Sequence, residues 1–312
     1  MPRSAIVICT YNRPEMLRRA VRSARAQALP PGHEAEVLVV DNSPAANARD
    51  SVAALAAEGP GLPLRYLSTP VPNVSEARNA GVANTAGETL IFLDDDQWFE
   101  PGCVAALLET AEATGADMVF GPVRPFFPGG MPAWDPTGRS YRRDVDWPSG
   151  TPMPLDHNDS QSGRWIATGN LLLRRATCLA EPVPFDPALG ICGGEDYDLF
   201  VRLHRAGRRM VWCAGAVAQE EVPASRTTLA YIRRRSFHAG QIYGVMTFRH
   251  SACKPCFALR TALRASVQLG LVALRWGLAT LRGEARAERH SVKLAEVAGK
   301  LVWWSMSRKT PW

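Results

Sequence analysis

Residues 88–98 read ETLIFLDDDQW. An apolar run, Leu90 to Leu93, ends directly on Asp94, Asp95 and Asp96, with Gln97 and Trp98 behind them. Like charges crowded at the end of a buried segment cost repulsion and desolvation. The stretch therefore reads as a buried strand whose tip needs something to offset that cost. A hard divalent cation meets that need, because Mg²⁺ and Mn²⁺ prefer carboxylate oxygens. The alternative is a strand capped by three solvated carboxylates.

Outward from this stretch, short apolar runs alternate with helical periodicity. AIVIC (5–9) is a strand, and Met16, Leu17, Ala20, Val21 and Ala24 fall on one face of a helix whose first turn takes Pro14. EVLVVDN (36–42) is a second strand ending on Asp41, followed by a loose helix over 47–58 and a third strand, LRYLST (64–69). SEARNAGVANT (75–85) reads as a helix capped by Ser75, and Pro101 opens another through about Thr114. DMVFGPV (117–123) and IATGNLLLRR (166–175) have strand character, and GGEDYDLFVRLHRAG (193–207) is a helix with an acidic start. Buried runs at this spacing predict an α/β fold with a mostly parallel, doubly wound sheet. Ligands of such sheets bind beyond the carboxyl ends of the strands. Thr10 and Tyr11, Asp41 and Asn42, and the three aspartates all collect there. Neither GxGxxG nor GxxxxGK[ST] occurs, which weighs against dinucleotide and P-loop readings.

Between Pro125 and Trp165 lie some 40 residues rich in Pro, Gly, Asp and aromatics without a sustained period. Such a length in a folded protein predicts a functional loop, and Trp134, Trp147 and Trp165 need packing partners. The seven cysteines are scattered except for Cys253 and Cys256, and the odd count predicts reduced thiols in a cytosolic setting. The first residues, MPRSAIVICTYNR, read as a strand and not as a signal peptide.

Four pieces together resemble the family-2 glycosyltransferases of the GT-A fold: VICTYNR, VVDNS, SEARNAGVANTAGETLIFLDDDQ and GGEDYDLFVRL. The resemblance spans about residues 4–245. It implies a catalytic domain over 1–245, with a nucleotide-binding half (1–123) and an acceptor half (124–245), and an appended region over 246–312. It further implies a nucleotide-sugar donor and an acceptor hydroxyl on a glycan or lipid-linked glycan. Asp96 would coordinate Mn²⁺ or Mg²⁺, with Asp94 near the ribose and Asp95 alongside. Thr10, Tyr11, Asn12 and Arg13 would lie beside the base, Asp41 would accept from a ring N–H of uracil or thymine, and Arg78 would face the diphosphate. Asp196 would be the base that deprotonates the acceptor, with Glu195 beside it holding the acceptor or orienting the loop, and Gly193 and Gly194 allowing close approach. Trp165, Thr168, Gly169 and Asn170 would line the acceptor and donor-sugar pocket. Many relatives carry a downstream histidine as a further metal ligand. Here the stretch reads AVAQEEVPASR, leaving Glu220 as the oxygen donor. Downstream of GGED, where processive synthases carry QxxRW, the chain reads RRRSFHAGQIYG (233–244), which implies transfer of one sugar per encounter; the one QxxRW match, QSGRW (161–165), lies before GGED.

Charge is divided unevenly along the chain. Residues 231–312 hold 15 Lys/Arg against 3 Asp/Glu, a net of +12, so the first 230 residues carry −6. Within the basic region Leu263, Val267, Leu271, Leu274, Leu278 and Leu281 recur on one helical face. Arg275 interrupts an apolar run otherwise about as long as a short membrane span. This helix lies on an anionic membrane surface, or it packs against the catalytic domain or against a second subunit in a homodimer. Trp303, Trp304 and Trp312 beside Arg308 and Lys309 have the composition of an interface anchor. No nucleic-acid-binding pattern accompanies the positive charge. The expected location is the cytoplasm, peripherally at the inner face of the membrane. A nucleotidyltransferase or a non-catalytic nucleotide- or glycan-binding protein would share the aspartates but have little use for GGED.

Overall fold

The computed structural model describes residues 3–155, 166–284 and 286–306. It divides into two compact units, Met1–Phe126 with Arg142–Glu221, and Phe127–Tyr141 with Val222–Trp312.

The first unit begins β1 (Arg3–Thr10), α1 (Pro14–Arg25), β2 (Glu34–Asp41), α2 (Arg49–Ala57), β3 (Leu64–Ser68), α3 (Val74–Ala83) and β4 (Thr89–Asp94). After it come β5 (Gln97–Phe99), α4 (Cys103–Thr114), β6 (Met118–Phe120), β7 (Val123–Phe126), β8 (Leu171–Arg174) and α5 (Arg175–Cys178). The unit ends with α6 (Glu195–Arg205), β9 (Met210–Trp212) and β10 (Ala218–Glu221). Seven strands form one sheet in the order β3-β2-β1-β4-β8-β6-β9, in which only β8 runs against its neighbours. A second sheet of three strands has the order β5-β10-β7.

Strand side chains alternate between two apolar layers, as the two-residue period requires. Ile6, Ile8, Val37, Val39, Ile91 and Leu93 share a core with Leu17, Val21 and Leu107 of α1 and α4. Val7, Leu38, Val40, Leu90 and Phe92 share the other with Ala77 and Val82 of α3 and Leu199 and Phe200 of α6. Both faces are covered, which is why the strands read as continuous apolar runs. The expected α/β architecture, a largely parallel sheet flanked by helices with a helical extension, is what the chain forms.

Several local expectations change. Residues 117–123 are not one strand, because Gly121 and Pro122 separate β6 from β7 and send them to different sheets. The strand expected over 166–175 narrows to β8. Asn73, not Ser75, caps α3, its side chain accepting from the Ser75 and Glu76 amides at 2.9 and 3.3 Å. α4 begins after Pro101, with Gly102 in the left-handed region as its N-cap.

The second unit holds α7 (Leu229–His250), α8 (Lys254–Leu281) and α9 (Arg286–Leu301). The boundary drawn from sequence at residue 245 falls inside α7. α7 and α9 cross where each presents glycine. A Cβ on Gly240 would meet the Glu296 carbonyl at 2.0 Å, and one on Gly299 would meet that of Phe237 at 2.0 Å. α8 packs against α9 and buries Phe257, Ala265, Val272 and Ala279, a seam at spacings of 8, 7 and 7. Residues 127–141 belong here: Tyr141, Val222 and Ile232 form a small core with Phe127, Trp134, Leu229 and Val292. Trp134 donates to the Thr227 carbonyl at 2.8 Å and Tyr141 to that of Arg226 at 2.9 Å. Trp147 packs on the first unit's core, whereas Trp165, Arg308, Lys309 and Trp312 lie outside the described residues. The expectation that all seven cysteines are reduced is corrected at one pair. Cys253 and Cys256, one helical turn apart at the start of α8, are joined by a disulfide, and the other five cysteines lie outside any disulfide.

Candidate active site

Parallel registry brings three strand ends level: Thr10 lies opposite Asp41, and Cys9 opposite Asp94. From there Asp94, Asp95 and Asp96 project as the chain turns into β5. Asp95 and Asp96 are buried, and Arg13, from the turn that starts α1, pairs with them at 3.1 and 3.3 Å. Thr10 donates to Asp95 at 2.9 Å. Burial pushes the Asp95 carboxyl up to about 6, against the pull of Arg13.

Arg78, buried on α3, reaches across to the head of α6. Its guanidinium pairs with Glu195, stands 3.7 Å from Asp94 and lies over the Phe185 ring at 5.6 Å. Burial pushes the Glu195 carboxyl up to about 7, while Arg78 pulls the other way and Asp196 adds to the rise. Gly193 and Gly194 both take positive φ, +85° and +94°, so the chain can turn sharply into α6 and set Glu195 and Asp196 on its first turn. Asp196 is partly exposed, and its charge acts on both Arg78 and Asp94. The loop before α6 is stitched to α3. Asn79 exchanges two bonds with the Phe185 backbone at 2.7 and 3.0 Å, Ser75 donates to the Asp186 carbonyl at 2.9 Å, and Asn73 donates to that of Pro187 at 2.9 Å.

A third wall comes from β10, whose Glu220 lies opposite Gln97 of β5. The Gln97 amide stands 3.4 Å from Asp94 and 3.5 Å from Glu220, and its buried Oε1 has no hydrogen-bond partner among the described residues. Gly169 closes over this group, where a Cβ would come within 2.5 Å of both Asp94 and Gln97. Among the described residues no cluster of three His, Cys, Asp or Glu could cage a metal ion. The donor set nonetheless suits an ion held largely by phosphates and water. It offers carboxylate oxygens of Asp94 and Asp96, an orphaned amide oxygen, and Arg13 as the present counter-charge.

Residues 5–176 match the family profile described as glycosyl transferase family 2. The chain belongs to that family. As a family 2 glycosyltransferase it moves a sugar from a nucleotide-diphosphate donor to an acceptor. It is 33% identical to the succinoglycan biosynthesis protein ExoM of Rhizobium meliloti (strain 1021), over 86% of this chain and 93% of the relative. Its fold is similar to the mannosyltransferase PcManGT of Pyrobaculum calidifontis, solved with GDP-Man and Mn²⁺, at TM-score 0.61 and 17% identity over 97% and 88% of the two chains. S. aureus TarS 1–349 is similar at TM-score 0.52 and 14% identity, over 97% and 90%.

In this glycosyltransferase Thr10, Arg13, Arg78, Asp94, Asp95, Asp96, Gly169, Gly193, Gly194, Glu195, Asp196 and Glu220 come together around the strand ends. Asp41 lies deeper. It is fully buried and accepts from Ser43 N and Oγ at 2.9 and 2.6 Å, Ala48 N at 2.9 Å and Tyr66 Oη at 3.0 Å. Those four donors use the lone pairs expected to receive a base, so in this state Asp41 shapes the 42–48 loop. Asn12, at φ 55°, is tied to that loop by Asn47 at 2.7 Å, and Tyr11 is exposed. Asn170 likewise has partners of its own. It is fully buried in the left-handed region and donates to the carbonyls of Pro122 and Ala216 at 2.9 and 2.7 Å. Thr168 is buried as well, and Trp165 lies outside the described residues. Sequence reasoning gave no role to Gln97 or Arg143. Arg143 bridges to Val123 through its backbone, donates to the Gly169 carbonyl and offsets part of the rise that burial imposes on the Asp94 carboxyl. Neither has a local signal: Gln97 follows a louder acidic triplet, and Arg143 sits in an aperiodic loop.

Proposed function

We propose that this family 2 glycosyltransferase inverts the anomeric centre, depends on Mn²⁺ or Mg²⁺, and moves one sugar per encounter from a UDP- or dTDP-sugar to a hydroxyl of a glycan or lipid-linked glycan. The observation that carries the reading is Asp196 at the head of α6, in electrostatic reach of the Asp94 side of the acidic triplet and separated from it by Arg78. A base opposite the departing diphosphate is what in-line displacement with inversion requires.

Asp196 takes the acceptor hydroxyl's proton as that oxygen attacks the anomeric carbon. Glu195 is already committed to Arg78, which leaves Asp196 the freer proton acceptor. Arg78 and Arg13 face the diphosphate, and Arg13 gives up its hold on Asp95 and Asp96 as donor binds. Asp96 and Asp94, with Glu220 through Gln97, are the residues that would hold the ion. When bound, that ion neutralises charge on the leaving diphosphate. For a ring N–H of the base to reach Asp41, it replaces one of the two rotatable hydroxyl donors, Ser43 or Tyr66. A polysaccharide-building role fits the likeness to ExoM, a succinoglycan biosynthesis protein.

Asp196→Asn tests the reading. Transfer to acceptor is expected to fall by about 10²–10⁴, the usual worth of a positioned base, while nucleoside-diphosphate affinity measured by calorimetry with Mn²⁺ stays near that of the parent. Transfer at an undiminished rate would remove Asp196 from the role.

A further inference from the structure

Most of the apolar surface of α8 is uncovered. Leu259, Leu263, Val267, Leu271, Leu274, Leu278 and Leu281 are all exposed, Leu263 to 65%, Leu274 to 61% and Leu281 to 86%. At 100° per residue these seven fall on one broad face, opposite the seam of Phe257, Ala265, Val272 and Ala279 that packs inward. Arg264, Arg275 and Arg282 form a row down one flank, about three and two turns apart, and Arg260 begins it. Over 28 residues α8 contains no Asp or Glu. Exposed apolar area this continuous marks an interaction surface.

We propose that this face of α8 docks onto the surface of an anionic lipid bilayer, with the helix lying in the interface plane. The inference names a partner for the enzyme proposed above, but it rests on the helix and not on the chemistry. Two other occupants fit less well. A second copy paired face to face would bring two arginine rows together with no acid on either α8 to match them, whereas an anionic leaflet supplies the opposite charge along the whole row. Crossing the bilayer is open to α8 by length and composition. The inward seam, however, binds it lengthwise to α9, which carries Arg286, Arg289, Lys293 and Lys300. A spanning α8 would have to shed that neighbour or take its charges into hydrocarbon. Lying flat, α8 immerses its leucines and keeps the arginines at headgroup level, where long basic side chains settle. The crossing of α7 and α9 at Gly240 and Gly299 holds this helix stack close without large side chains between the backbones.

Flotation of the full chain with vesicles tests the proposal, using phosphatidylcholine alone and phosphatidylcholine with phosphatidylglycerol. Wild type is expected to float with the anionic vesicles at low salt, and less as salt shortens the Debye length. The double variant Leu263→Glu/Leu274→Glu alters exposed positions only and should stay at the bottom of the gradient. The triple variant Arg264→Gln/Arg275→Gln/Arg282→Gln should lose roughly fivefold in partitioning per arginine on anionic vesicles. Circular dichroism and donor hydrolysis establish that each variant is folded. If the leucine pair misfolds, the arginine series still decides the matter. Wild type that fails to float, or variants that float like wild type, would overturn the proposal. So would a wild-type dimer that the leucine pair converts to monomer with no flotation by either, which assigns the face to a second copy. None of these results bears on Asp196, and loss of transfer in Asp196→Asn leaves flotation untouched.

Discussion

At the scale of single residues, Arg78 does the joining. Two buried or half-buried carboxylates from distant parts of the sequence, Asp94 and Glu195, share one guanidinium. Removing one partner of such a pair leaves the other uncompensated. Glu195→Gln should therefore let Arg78 drift from its place, weakening nucleoside-diphosphate binding about tenfold while leaving nucleoside binding unchanged; paired calorimetric titrations separate the two. Equal losses for both ligands would make Glu195 a general prop of the fold. Its protonation carries a second expectation. Because burial raises the folded carboxyl from 4.5 to about 7, the folded protein holds the extra proton across that window. That contribution to stability is complete below about pH 4.5 and is lost as pH rises towards 7. Urea titrations from pH 4.5 to 7.5 should show this downward component in wild type and its absence in Glu195→Gln.

Elements differ in how openly they announce themselves. β1, β2 and β4 are legible because both their faces are buried, so nearly every residue is apolar and the run ends sharply on polar tips. α6 is legible through GGED, whose two glycines turn out to need positive φ. What stayed hidden depends on pairing between segments far apart in the chain. No local pattern says that β8 will insert antiparallel between β4 and β6, or that Asn79 will hold Phe185 across more than 100 positions. Asp41 and Asn170 were assigned to ligand because a polar residue at a strand tip looks alike whether it meets solvent, substrate or backbone. Their neighbours in space are invisible in the sequence: Asn170 donates to two backbone carbonyls, while Asp41 accepts from two backbone amides and two hydroxyls. The crossing of α7 with α9 was equally silent, since Gly240 and Gly244 on one helix and Gly299 on the other are too little to read. It is testable nonetheless: Gly240→Ala drives a methyl group into the Glu296 carbonyl, and the helices must part. A loss of roughly 1–3 kcal/mol is expected for such overpacking, read as a lower midpoint in thermal unfolding.

For the molecule as a whole, two compact units with separate cores predict two unfolding transitions. Scanning calorimetry of Gly240→Ala should shift one of them and leave the other in place, and a nucleoside diphosphate with Mn²⁺ should raise the one that Gly240→Ala does not move. A single transition displaced as a unit would contradict the division. The small core that Phe127, Trp134 and Tyr141 share with Val292 has a consequence for how the protein is made. Those aromatics leave the ribosome about 150 to 165 residues before their last partner. At 5–20 residues per second they wait roughly 8–30 s for it. The first unit has all its strands by then and can close, while a strip of Phe, Trp and Tyr stays on its loop without a home. Nascent chains halted before residue 286 should accordingly recruit holding chaperones through that strip, and chains halted after residue 306 should not.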